Sequence, residues 1–108
     1  MKLFKIYRSE PFDEQIEKMP SDFKIWVEKV ETQLMQNPYV GKPLSFKWFR
    51  EKKYGKFRVY YLIYENLDTV YIVALSDKKD QQKTINTIKL FLNTYKKQIE
   101  EIGKKQAI

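Results

Sequence analysis

The sequence predicts an α+β domain: a strand and a helical hairpin, then an antiparallel three-stranded meander, then one long C-terminal helix, with a four-stranded sheet overall. Three observations carry this. Lys2–Arg8 alternates with period 2, while Phe12–Leu34 carries apolar residues at helical spacing. Aromatic and β-branched runs between Lys47 and Leu75 are broken only by short turns, at Gly55 and at Asn66. A seam of Ile85, Ile88, Leu92, Tyr95, Ile99 and Ile102 steps by alternate threes and fours.

Taken in order, Lys2–Arg8 sets Leu3, Lys5 and Tyr7 against Lys2, Phe4, Ile6 and Arg8, as a half-buried strand does. Ser9 then offers a capping hydroxyl to a short helix with Pro11 in its first turn and Phe12, Ile16 and Met19 on its apolar face. Pro20 ends it, because proline disfavours helical geometry in the preceding residue. Ser21 is expected to cap a second helix that buries Phe23, Trp26, Val27, Val30 and Leu34. Asn37-Pro38 stops that helix, and a turn-rich stretch to Pro43 leads into the sheet.

The meander is expected over Lys47–Lys53, Lys56–Tyr64 and Thr69–Leu75, with the last strand in mid-sheet and the first strand beside it. Simple alternation puts Val70, Ile72 and Ala74 on one side and Tyr71, Val73 and Leu75 on the other. The final helix is expected from about Asp80 to Ile102, stopped by Gly103. A straight helix of that length spans about 35 Å. Its far end, Tyr95–Ile102, is therefore a candidate for self-association, unless the whole seam lies along the domain.

At 108 residues the chain is read as one domain, 1–108, with 91–108 an extension of the last helix. Apolar residues at 43% and aromatics at 16% argue for a packed core. There is no cysteine and no histidine, which excludes disulfides, thiolate nucleophiles, the usual zinc sites and Ser-His or Cys-His dyads. No metal or cofactor is expected. Charges at Lys2, Lys5 and Arg8 break up the start, and no apolar run reaches membrane-spanning length, so the expectation is a cytoplasmic protein with no membrane partner.

Charge is concentrated in the first hairpin. From Lys42 to Arg58 there are seven basic residues and one acid, Glu51, a net +6 within a chain of +7. Cations interleaved with aromatics suit phosphate binding and base stacking. The plainer reading is a solvated edge whose lysines discourage aggregation.

Three motifs in this order carry a resemblance. Asn37-Pro38-Tyr39-Val40-Gly41-Lys42-Pro43-Leu44, Gly55-Lys56-Phe57-Arg58-Val59-Tyr60-Tyr61 and Ser76-Asp77-Lys78-Lys79 resemble the corresponding segments of the RelE/ParE superfamily of type II toxin–antitoxin toxins, over about residues 2–90. The resemblance implies a toxin that cuts mRNA on the ribosome without a metal and is held inactive by a cognate antitoxin. Such chemistry needs a base for the 2′-OH, cations for the phosphorane and an acid for the leaving oxygen.

The resemblance makes Arg58 the phosphate clamp, with Lys52, Lys78 and Arg50 as the remaining catalytic candidates. Crowding among cations favours a neutral amine, which suits Lys52 or Lys78 to the role of base. Lys47, Lys53, Lys56, Lys79, Lys83 and Tyr60 are candidates for RNA binding. Arg58 and the ammonium groups near it are expected to gather in one concave pocket. On the second meander strand's neighbour, Arg50 and Lys52 share one face and Glu51 and Lys53 the other, so only one pair can join it. Where several relatives carry a C-terminal tyrosine or histidine, the nearest position here is Thr84. That departure leaves two alternatives open: a ParE-like toxin that inhibits gyrase by binding, and a non-catalytic RNA- or partner-binding domain.

Overall fold

The computed structural model describes residues 2–106; the outermost positions of the expected 1–108 domain lie outside them. Nine elements follow in order: β1 (Lys5–Arg8), α1 (Glu10–Glu17), α2 (Ser21–Gln36), β2 (Lys42–Leu44), β3 (Phe46–Tyr54), β4 (Phe57–Tyr64), β5 (Thr69–Asp77), α3 (Gln81–Leu90) and α4 (Leu92–Gln106). The sheet runs β1-β5-β4-β3-β2 and has five strands rather than four. The extra strand, β2, pairs antiparallel with β3. Pro43 had marked this segment as a turn, yet as an edge strand it tolerates proline, whose missing N–H costs nothing on the open side. β1 lies parallel to β5, and the remaining pairs are antiparallel.

Helices cover both faces. On one, Phe12 and Ile16 of α1 and Phe23, Val27, Val30 and Leu34 of α2 pack on Val59, Tyr61, Ile63, Val70 and Ile72. On the other, Ile85, Ile88 and Ile99 pack on Phe49, Tyr60, Leu62, Tyr71 and Val73. Burial on both sides is why β4 and β5 read as nearly unbroken apolar runs. Ser9 caps α1 as expected, its hydroxyl accepting the Phe12 N–H, and also donates to the Val73 carbonyl. Ser21 does not cap α2: Pro20 holds the cap position and no side chain bonds there.

The long helix is two helices. The backbone breaks at Phe91, whose N–H bonds the Ile88 carbonyl, so α3 and α4 each lie against the sheet. Ile88 of α3 and Ile99 of α4 are both buried against it. Tyr95 and Ile102 pack on the same core, and Tyr71 donates to the Gln98 side chain at 2.7 Å. The stripe offered for self-association is thus occupied by the protein's own sheet. Gly103 does not stop α4, which runs through it to Gln106. None of the helices among the described residues is long and apolar enough to cross a membrane.

One irregularity reorients the sheet. Tyr60 pairs with Ala74 but Tyr61 with Ile72, so Val73 is an extra residue on β5. A bulge of this kind shifts the alternation by one. Ala74 accordingly joins Val73 and Tyr71 on the α3–α4 side, while Leu75 crosses to the α1–α2 side, reversing the expectation for both.

Candidate functional site

The basic hairpin closes through Gly55-Lys56, between the paired residues Tyr54 and Phe57. Gly55 takes φ +57°, as the first central residue of a type II′ turn requires. The register set by this turn places Lys53, Arg58 and Ser76 in one row across β3, β4 and β5. Adjacent strands lie about 4.8 Å apart, so the row is roughly 10 Å wide. Behind it stands a second row, Glu51, Tyr60 and Ala74. Both face α3. The bulge at Val73 is what brings Ser76 to this side.

Arg58 is 6% exposed, and no carboxylate lies within ion-pair distance of it among the described residues. Its Nη1 makes a long bond to the Gly55 carbonyl at 3.4 Å, and its buried Nε has no partner. A guanidinium with unfilled donors out of water is strongly disposed to take an anion. Beside it Glu51 is 1% exposed, and both carboxylate oxygens accept from the Gln81 amide, at 3.1 and 2.9 Å. Ser76 donates to the Asp77 carbonyl, so the Tyr60 hydroxyl, 2.8 Å from Ser76 Oγ, is the donor in that pair. Burial, with the nearby Glu51 charge, raises the Tyr60 pKa against the opposing pull of Ser76 and Arg58, and the phenol keeps its proton.

Exposed cations ring this polar core. Lys53 stands in the Arg58 row, Lys56 in the turn with its ammonium 5.4 Å from the Phe57 ring, and Lys78 and Lys79 in the 3-10 turn after β5. The Asp77 carboxylate fixes that turn by accepting the Asp80 N–H. Ion pairs among the described residues involve only Lys2, Arg8 and Lys104, so none of these lysines is neutralised by a neighbour.

Other expected residues lie elsewhere. Arg50 and Lys52 occupy the opposite face from Arg58, because they pair with Tyr61 and Val59. Arg50 is a structural tie: its Nε donates to the Lys47 carbonyl at 2.8 Å, its Nη1 to the carbonyls of Tyr39 and Gly41 at 2.9 and 2.7 Å, and it lies over the Tyr39 ring. Lys47 sits near the same ring, at the far end of the sheet. Tyr60 is fully buried and so not free to stack on a base. Lys83 and Thr84 line a separate groove between α1, the end of β5 and α3–α4, which also contains Ser76 and Asp77. Arg58 is in the wall of none of the principal grooves among the described residues. The cations therefore form a rim over a buried guanidinium, not one hollow.

Glu51, Gln81 and Ser76 complete the cluster and were not among the expected site residues. The signal for Glu51 was its place as the single acid of the basic stretch, two residues from Lys53 on the same face. Nothing in the sequence pointed to Gln81, which arrives through the packing of α3.

No protein-family model matches the sequence, and no curated protein matches it. Solved structures do. A doubly arginine-substituted variant of Escherichia coli RelE in the free state superposes with a TM-score of 0.69 at 14% identity, covering 82% of this chain and 97% of that one. The intact E. coli RelBE toxin–antitoxin complex gives 0.62 at 13%, covering 68% and 95%. The RelBE2 toxin–antitoxin complex of Mycobacterium tuberculosis gives 0.61 at 23%, covering 71% and 93%. The fold is RelE-like.

Proposed function

We propose, for a chain with this RelE-type architecture, that it is the toxin of a toxin–antitoxin pair and arrests translation by cutting mRNA on the ribosome. The observation that carries the reading is the buried, under-bonded guanidinium of Arg58 beneath lysines that no carboxylate neutralises. In that role Arg58 grips the scissile phosphate, whose charge grows in the phosphorane, and Lys53, Lys56 and Lys79 hold the flanking backbone. Lys78 is the proton-transfer candidate on this side, since Lys52 faces away. Glu51 is held by Gln81 and makes no ion pair with Arg58, which leaves the guanidinium's donors to an anion. The same uncompensated rim is complementary to an acidic segment that folds on binding, the character expected of a cognate antitoxin.

The test is induced expression of wild type and Arg58→Ala with primer extension on translated mRNA. Wild type should halt growth and leave discrete cuts. Removing one preorganised donor to the transition state should slow cleavage about 10²–10³-fold. Unchanged cutting by the variant refutes the reading. The burial of Tyr60 and the threonine at position 84 favour a second reading, binding without cleavage, for which ribosome-bound wild type would leave the mRNA intact.

A further inference from the structure

At the opposite end of the sheet from Arg58, β3 and β4 part company. Their pairing ends with Phe49 opposite Leu62, so Phe46, Lys47 and Trp48 lie beyond the ladder that β3 shares with β4. A groove opens there between the first residues of β3, the end of β4 and the first turns of α4. Trp48 lines it, backed by the Phe46 ring. Phe46 and Trp48 are 41% and 39% exposed and stack, with centroids 4.7 Å apart and planes 2° from parallel. Lys47 and, across the groove on α4, Lys96 are exposed and make no ion pair among the described residues. The one carboxylate in the lining, Glu65, is engaged by the Tyr39 hydroxyl.

We propose that this groove binds single-stranded RNA, with a base stacked on Trp48, flanking phosphates on Lys47 and Lys96, and the amides of Asn66 and Asn93 reaching base edges. The inference rests on reading the chain as an RNA-binding protein. It supplies the stacking group that buried Tyr60 does not. Charge favours nucleic acid over a basic peptide: Lys47 and Lys96 outnumber Glu65, whose carboxylate stays negative but is tied to the Tyr39 hydroxyl. Tyr64 stands six steps along β4 from Arg58, so the subsite lies about 20 Å from the guanidinium and contacts a different stretch of the strand.

Binding of a labelled oligouridylate of about eight nucleotides, followed by fluorescence anisotropy, tests this. Trp48→Ala should weaken binding about tenfold and Trp48→Phe far less, because any π-face stacks. Replacing both Lys47 and Lys96 with alanine should flatten the salt dependence by a slope of about 1.4. The chain has two tryptophans, so Trp26→Phe leaves Trp48 as sole reporter, and its emission should quench on titration with the oligonucleotide even if Trp48→Ala fails to fold. Affinity within twofold of wild type for Trp48→Ala, or no quenching in Trp26→Phe, overturns the proposal. So does a wild-type dimer that Trp48→Ala dissociates with RNA affinity unchanged, which assigns the groove to a second copy. Failure of the subsite alone shows as tight wild-type binding indifferent to Trp48; failure of the underlying reading shows as no wild-type binding at all.

Discussion

Tyr61→Phe should destabilise the domain by about 2 kcal/mol, and the structure shows where the loss arises. The Tyr61 hydroxyl is fully buried, donates to the Pro38 carbonyl at 2.7 Å and accepts the Gly41 N–H at 3.0 Å. It joins two of the motifs that carry the family resemblance, one from the α2–β2 connection and one from β4. Each bond contributes about 1 kcal/mol net. Neither partner can turn to solvent, since Pro38 and Gly41 are themselves buried. Losing one oxygen leaves almost no cavity, so the bonds account for nearly all of the effect. For a domain of this size, about 2 kcal/mol lowers the melting temperature by roughly 10 °C. Urea unfolding by circular dichroism measures it, with an unchanged slope expected. A loss under about 0.5 kcal/mol would refute the idea that these motif residues form a brace. Cleavage per folded molecule should be unaffected, because the hydroxyl lies on the face away from Arg58.

Further outcomes follow from the same geometry. Gly41→Ala should cost about 1–3 kcal/mol by urea midpoint: an added Cβ would sit 2.6 Å from the Glu51 carbonyl oxygen and 2.5 Å from the Tyr61 hydroxyl, whereas φ −75° and ψ 166° suit any residue. Arg50→Ala should lose about 2 kcal/mol of stability with three carbonyl bonds, yet leave cleavage by the folded fraction intact. Lys52→Ala should leave cleavage intact with a stability change within about 0.5 kcal/mol. Stability should fall in alkali. Burial pushes the Tyr61 hydroxyl up to about 12 from 10, so above pH 10 the unfolded chain has lost a proton that the folded protein keeps. The contribution is complete below pH 10 and declines toward about 12; a urea midpoint equal at pH 9 and 11 would contradict it, and Tyr61→Phe should show a smaller drop.

The sheet was legible wherever one residue dictates local geometry. Gly55 fixed the hairpin turn, and the two-sided apolar run of β5 marked it as central. The break at Phe91 was not legible, since no proline or glycine stands there and the seam continues in step on both sides. The bend shows only in the assembled fold, where the Phe91 N–H turns to the Ile88 carbonyl. The bulge at Val73 is similarly silent, because Val73, Ala74 and Leu75 are apolar whichever way they face. In the site, strand period separated Arg50 and Lys52 from Glu51 and Lys53, but that Lys53 and not Lys52 shares a row with Arg58 came from the register, and Gln81 and Ser76 had no signal.

Residue types alone determined the basic hairpin, the class of the fold and the lack of histidine and thiol chemistry, because composition and period-2 or 3.6 patterning act on the chain locally. Which lysines and arginines share a face with Arg58, and whether Tyr60 meets solvent, came only with the assembled sheet. Those outcomes depend on register, on one inserted residue in β5 and on the layer that α3 lays over β4, and each is set by contacts between segments far apart in the chain.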